Sequence, residues 1–183
     1  MSRAAGAIPA ALLTLALGLR PAAAEQPVAA VVADSPVVLE LFTSEGCNSC
    51  PPADALLGRL AGRSELLPLA FHVDYWDYLG WKDPFSSKAA TERQYGYSRA
   101  LGVMVYTPQL VVDGVRDAIG SDEAAVDLAI EAEKAQPKLR LAVRRGAGGE
   151  LKVSIPAGDA RSSPASVYLA LFDHAHETSV GRG

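Results

Sequence analysis

Apolar and polar positions along the chain change period several times, and each change marks an element. Val37-Val38-Leu39-Glu40-Leu41-Phe42 is a short, mostly apolar run with β-branched residues, which predicts a buried strand. A loop with Gly46 follows, and Pro51-Pro52-Ala53-Asp54 opens a helix. Ala53, Leu56, Leu57 and Leu60 recur on one helical face, and Gly62 marks the stop. Leu66 to Val73 predicts a second buried strand, and an aromatic loop with Tyr75, Trp76, Tyr78 and Trp81 follows it. Ser86 to Leu101 predicts a helix, and Pro108 to Val112 a third strand. Asp113-Gly114 is a turn signal from which Val115 to Ile119 pairs back as a fourth strand. Ser121 is expected to cap a third helix, with Asp122 and Glu123 in its first turn and Pro137 beyond its end. Strands alternating with helices predict βαβ units, with the first three strands parallel. The pattern then shifts. Leu139 to Arg144 and Leu151 to Ile155 alternate around the turn Gly146 to Gly149, and Ser166 to Phe172 is a further strand candidate. The expected fold class is α/β, a sheet with flanking helices and a C-terminal antiparallel β extension.

The first 24 residues read as something other than fold. Arg3 gives a positive start, Ala10 to Leu19 is a short apolar run, and Pro21-Ala22-Ala23-Ala24 offers small residues for a cut. This is the pattern of a secretory signal peptide cleaved after Ala24. The run is too short to span a bilayer comfortably, and Arg20 closes it, so no stable membrane span is expected after cleavage. The expected location is periplasmic or secreted, where disulfides persist. The expected organisation is a signal peptide over 1–24, one domain over 25–136 and the β extension over 137–183. Gly181-Arg182-Gly183 follows an unfinished β pattern, so truncation at the C-terminus is expected.

Composition narrows the class. Hydrophobic residues make up 49% of the 183, enough for a core, and 21% charged residues is ordinary globular usage, which excludes a disordered or collagen-like chain. A formal charge of -4 excludes a broad basic nucleic-acid surface. Two cysteines exclude a multi-disulfide scaffold.

Those two cysteines carry the sharpest chemistry. Cys47-Asn48-Ser49-Cys50 lies between a strand and a helix. A ring closed across so short a spacing removes little unfolded-chain entropy, roughly 2 kcal/mol, so it is a poor staple. A redox pair is the better account; an inert disulfide and a metal site are the alternatives. Zinc needs about four ligands, and none is assigned. Cys47, nearer the loop, is expected to be the exposed attacking sulfur, and Cys50 to resolve the mixed disulfide. Glu45 opposes thiolate formation by its charge. Pro51 disfavours helical geometry at Cys50, so the helix is expected to start just after the motif. His72 and Asp74 alternate on one expected strand face and, with Glu45, are candidate modulators. A copper carrier using Cys47, Cys50 and His72 is a second reading, because thiolate and imidazole suit copper. A core histidine with a satisfied hydrogen bond is the plainer account of His72. Asp173, His174 and His176 read as a solvated tail rather than a metal site. No cofactor is called for.

Thr107-Pro108 precedes the third strand. Together with strand, C-x-x-C, helix and strand, it resembles the thioredoxin-like superfamily. That resemblance implies a cis Thr107-Pro108 bond facing the cysteines, with Thr107 and Pro108 as the substrate-facing loop. It also implies Cys47 as nucleophile and Cys50 as resolving cysteine. Longer motifs are similar to a secreted bacterial family of unknown function (domain of unknown function twelve-twenty-three). They are Leu41-Phe42-Thr43-Ser44-Glu45-Gly46-Cys47, Cys50-Pro51-Pro52-Ala53-Asp54, His72-Val73-Asp74-Tyr75-Trp76-Asp77, Gly80-Trp81, Arg93-Gln94 and Tyr106-Thr107-Pro108-Gln109. The likeness is strong over Val37 to Ile119 and implies a thioredoxin-like fold without an established reaction. Gly46 stands where thioredoxins usually carry an aromatic residue, and Glu40 is no clean match for their buried acid. The expected activity is thiol–disulfide exchange with protein thiol or disulfide substrates. Copper handling and a non-enzymatic binding module are the alternatives.

Overall fold

A computed structural model of the chain describes residues 35–155, 166–173, 175–176 and 178–180. The expected signal peptide over 1–24 and His174 lie outside the described residues. Nine regular elements follow in order among the described residues: β1 (Val37–Thr43), α1 (Pro51–Leu60), β2 (Leu66–His72), α2 (Lys88–Leu101), β3 (Gln109–Val112), β4 (Arg116–Ile119), α3 (Glu123–Lys134), β5 (Ala142–Arg145) and β6 (Leu151–Ser154). A 3₁₀ helix over Asp74–Leu79 connects β2 to α2. Four strands form one sheet in the order β2-β1-β3-β4, and β5 and β6 form a separate antiparallel hairpin.

Period-two alternation in β1 divides the molecule into two cores. Val37, Leu39 and Leu41 point to one face, where Ala53, Leu56 and Leu60 of α1 and Val126 and Ile130 of α3 cover them. Phe42 and Val111 point to the other face, against Phe71, Tyr75, Trp76 and Tyr97. Glu40 shares this second face, is 4% exposed, and is held by Arg93 of α2. Arg93 Nη2 also donates to Glu40 Oε1 at 2.7 Å, and the Tyr97 hydroxyl donates to the same oxygen at 2.7 Å. Burial first, and then the Glu40 carboxylate, push the Tyr97 phenol well above its usual range. Glu40 thus docks α2 on the sheet and is committed there rather than free to act as a buried acid beside the cysteines.

Several expectations are corrected. β1 and β2 are parallel, but β3 runs antiparallel to β1. Gly102, at φ 70, ends α2, and the irregular stretch from Val103 to Pro108 returns the chain to the cysteine end of β1. Gln109 therefore pairs with Phe42, and β3 runs back down the sheet. Hydrophobic period is blind to that direction. Asp122, not Ser121, caps α3, because its carboxylate reaches the Ala125 N–H at 3.1 Å. Residues 166–172 form no strand and are exposed; β5 and β6 pair with each other alone. The first strand of the extension begins at Ala142 rather than Leu139. β2 ends at His72, so Asp74 opens the 3₁₀ helix instead of sharing a strand face with it.

Gly120, between β4 and α3, is a close-approach position. A Cβ there would lie 2.6 Å from Leu41 Cδ1, 3.2 Å from Ala53 Cβ and 3.4 Å from Pro108 Cβ. Its N–H donates to Pro108 O at 2.9 Å. Gly120→Ala is expected to lower stability by about 1–3 kcal/mol through overpacking. Urea unfolding checks this; an unchanged midpoint would show that Leu41 yields freely.

Candidate functional site

Cys47 and Cys50 form a disulfide with Cα atoms 5.4 Å apart at the C-terminal end of β1. Ser44 shapes the approach: its carbonyl accepts from Cys47 N at 3.1 Å and its hydroxyl from Gly46 N at 3.1 Å. Cys50 is the N-cap of α1, with helical φ -79 and ψ -35, and Pro51 and Pro52 fill the first two positions. The helix therefore starts just after the motif, although Cys50 already takes helical geometry. Proline lacks the N–H that the first turn leaves unpaired. The next two amides, Ala53 and Asp54, donate to Cys50 O at 2.8 and 3.1 Å. The first turn of α1 thus has little to offer a sulfur anion.

Cys47 is 3% exposed and Cys50 0%, so the expected exposed first sulfur is in fact largely covered. The loop before β3 lies against it. The Thr107-Pro108 bond is cis, and Thr107 Oγ1 donates to Cys47 Sγ at 3.3 Å. Ser49 Oγ donates to Thr107 O at 3.3 Å and lies 3.5 Å from Cys47 Sγ. Trp76 Nε1 donates to Thr107 Oγ1 at 2.9 Å. A buried amide pair holds the loop from behind: Gln94 and Gln109, each 0% exposed, are bonded at 2.9 Å, and Gln94 Nε2 also donates to Tyr106 O at 2.8 Å.

A cleft of about 750 Å³ opens beside the disulfide, lined by Glu45, Cys47, Asn48, Asp54, His72 and Phe85 and crossed by residues from 171–180. Cys47 lines it; Cys50 lies behind. Of the candidate modulators, Glu45 accepts a hydrogen bond from Trp81 Nε1 at 2.7 Å. His72 Nδ1 lies 2.6 Å from Asp83 Oδ2, which also accepts from Glu45 N at 2.8 Å. His72 is therefore the satisfied histidine of the plainer reading, serving with Asp83 to tie the cysteine loop to β2. Asp74 stands apart from it and accepts from Thr91 Oγ1, joining the 3₁₀ helix to α2. Among the described residues, with the Cys47–Cys50 disulfide closed, no group of three or more His, Cys, Asp and Glu could hold a metal ion. His176 pairs with Asp173 at 2.9 Å in the tail.

Three residues of this region were not singled out by the sequence reading. Asp83 is 1% exposed and organises the loop, but an acid in a charged, aromatic stretch carries no periodic signal. Trp76 reads as one of the loop aromatics, and its indole N–H finds its partner 31 residues away. Asp54 sits one helical turn after Cys50. It is well exposed as a residue and lines the cleft. Desolvation raises its pKa first of all, while the Thr43 hydroxyl and His72 pull it down and Asp83 adds to the rise. A folded carboxyl with a raised pKa destabilises the protein above that pKa, and the penalty disappears below the unfolded value near ~3.9. Asp54→Asn is thus expected to raise the melting temperature at pH 7, modestly because of the exposure, with the gap closing towards pH 3. A gap that persisted or widened at low pH would contradict this.

The family model for "Protein of unknown function (DUF1223)" matches residues 38–183. No curated protein matches the chain. Among solved structures, the X-ray crystal structure of protein AGR_C_4864 from Agrobacterium tumefaciens is similar, with 42% identity and a TM-score of 0.61. The match covers 69% of this chain and 59% of that one, so the chain spans well under two thirds of that protein's length. With the family model covering most of its residues, the chain belongs to the DUF1223 family of proteins of unknown function.

Proposed function

We propose that this is an exported, thioredoxin-like protein that exchanges its Cys47–Cys50 disulfide with the thiols or disulfides of other proteins. The reading rests on one observation above the others. The disulfide sits at the N-cap of α1 with its first sulfur on a cleft and the cis Thr107-Pro108 loop against it. An inert staple needs neither the cleft nor the polar contact to sulfur.

The chemistry balances without a cofactor. In the reduced protein the Cys47 thiolate attacks one sulfur of a client disulfide. That S–S bond breaks, the other client sulfur leaves as thiolate, and Cys47 is joined to the client. Cys50, as thiolate, then attacks Cys47 Sγ and releases the second client thiolate. Two electrons have passed to the client, and Cys47–Cys50 is the disulfide again. The reverse sequence oxidises a client dithiol. The leader-like segment over 1–24 supports an oxidising, extracytoplasmic setting.

Insulin reduction by dithiothreitol tests this. The wild type should shorten the lag before the B chain precipitates, and Cys47→Ser should return it to that of dithiothreitol alone. A wild type no faster than dithiothreitol alone would favour a binding module in which the disulfide is a local clamp.

A further inference from the structure

For exchange, a thiolate at Cys47 needs a stabilising partner. The helix N-terminus normally supplies one through unpaired N–H groups. Here Pro51 and Pro52 carry none, and the Ala53 and Asp54 amides are spent on Cys50 O. The charges around the cleft work against the anion. Glu45 before the motif, Asp54 of α1 and Asp173, which is paired to His176, line the cleft, and His72, which also lines it, is paired to Asp83. A polar donor must come from elsewhere.

Two hydroxyls are near Cys47 Sγ. Ser49, at 3.5 Å, directs its hydrogen at the Thr107 carbonyl. Thr107 Oγ1 is at 3.3 Å, and a hydroxyl has one hydrogen to give. Trp76 narrows where that hydrogen can point. An indole N–H can only donate, so at 2.9 Å it occupies a lone pair of Thr107 Oγ1 and leaves the hydroxyl's own hydrogen for the sulfur. The Tyr75 hydroxyl, also beside Thr107, gives its own hydrogen to Gln94 Oε1 at 3.0 Å and keeps lone pairs that compete for the Thr107 hydrogen, but the Thr107 hydroxyl is in hydrogen-bonding geometry with Cys47 Sγ at 3.3 Å. Gly46 permits the approach: a Cβ there would meet Trp76 Cβ at 3.2 Å. The absence of an aromatic side chain before Cys47 and the position of Trp76 against the loop are therefore one feature.

We infer that Trp76 is a positioning residue that orients the Thr107 hydroxyl onto Cys47 Sγ and so stabilises the thiolate formed there on reduction. The inference rests on the exchange reading for its biological use, but not for its test. The rate of iodoacetamide alkylation at Cys47 in the reduced protein, followed against pH by peptide mass, reports the thiolate with no client present. Thr107→Val should raise the apparent pKa of Cys47 by about one unit, the scale of one hydrogen bond to a charged group. Thr107→Ser, which keeps the hydroxyl, should stay near wild type. Trp76→Phe should shift it upward by less than Thr107→Val does, and the double variant should match Thr107→Val alone, because Trp76 acts only through Thr107. Benzothienylalanine at position 76 keeps the ring and removes only the N–H, so it puts the same question if Trp76→Phe folds poorly. It should shift the titration as Trp76→Phe does. An unchanged titration after loss of the indole N–H, or a shift that adds fully to that of Thr107→Val, overturns the proposal. A wild type inactive on insulin but showing the non-additive shifts would sink the exchange reading and leave this one standing.

Discussion

Arg93→Ala is expected to remove about 3 kcal/mol of stability at neutral pH, the lower end of the range for breaking a buried ion pair. Glu40 is 4% exposed in the middle of the sheet and takes both an Nε and an Nη2 hydrogen bond from Arg93. Without the guanidinium the carboxylate keeps only the Tyr97 hydroxyl, and a buried, uncompensated charge costs several kcal/mol. The arginine side chain is 33% exposed, so solvent softens the loss. Its guanidinium also lies 5.3 Å from the centre of the Phe71 ring, a contact that goes with it. Urea denaturation measures the change. Glu40→Leu combined with Arg93→Met should recover most of it, because two apolar side chains leave no charge behind. A loss under about 1 kcal/mol in Arg93→Ala would mean that water reaches Glu40 and that α2 is held mainly by its apolar face.

Cys50→Ser is expected to accumulate mixed disulfides with client proteins, and Cys47→Ser to accumulate almost none. Both sulfurs are covered by area, so accessibility alone does not separate them. Position does. Cys47 lines the cleft and touches the Thr107 hydroxyl, whereas Cys50 lies behind it at the start of α1, next to the buried Ala53. In the proposed exchange a client bound in the cleft would meet Cys47, and Cys50 would then resolve from within. Non-reducing gels of extracts from cells expressing each variant give the comparison. Equal trapping by both would remove the distinction of roles while leaving the fold untouched.

The elements were legible because their patterns are local. Ala53, Leu56 and Leu60 face one way at helical spacing, and the alternation of Leu39 and Leu41 with Glu40 and Phe42 sorts two cores. The direction of β3 was not legible, because it depends on where the Val103 to Pro108 stretch carries the chain, and that stretch has no period. The same limit divides the site. The cysteine pair and the Thr107-Pro108 step are short motifs, and their meeting across 60 residues was implied by resemblance rather than by spacing. Trp76, Asp83 and the Gln94–Gln109 pair act through contacts between distant segments, and single hydrogen-bonding side chains leave no mark in a hydrophobicity pattern. The Arg93–Glu40 pair is of the same kind: Glu40 reads as an interruption of an apolar strand until α2 is in place.

The central claim is that the Cys47–Cys50 bond is made to open and close, and its reduction potential tests that most directly. Equilibration of the protein against glutathione or dithiothreitol buffers, with the oxidised fraction read after acid quenching and alkylation, gives the value. A potential between roughly -270 and -120 mV, the span of working exchange proteins, is the predicted result. A potential below about -300 mV would place the pair with structural disulfides and contradict the proposed function.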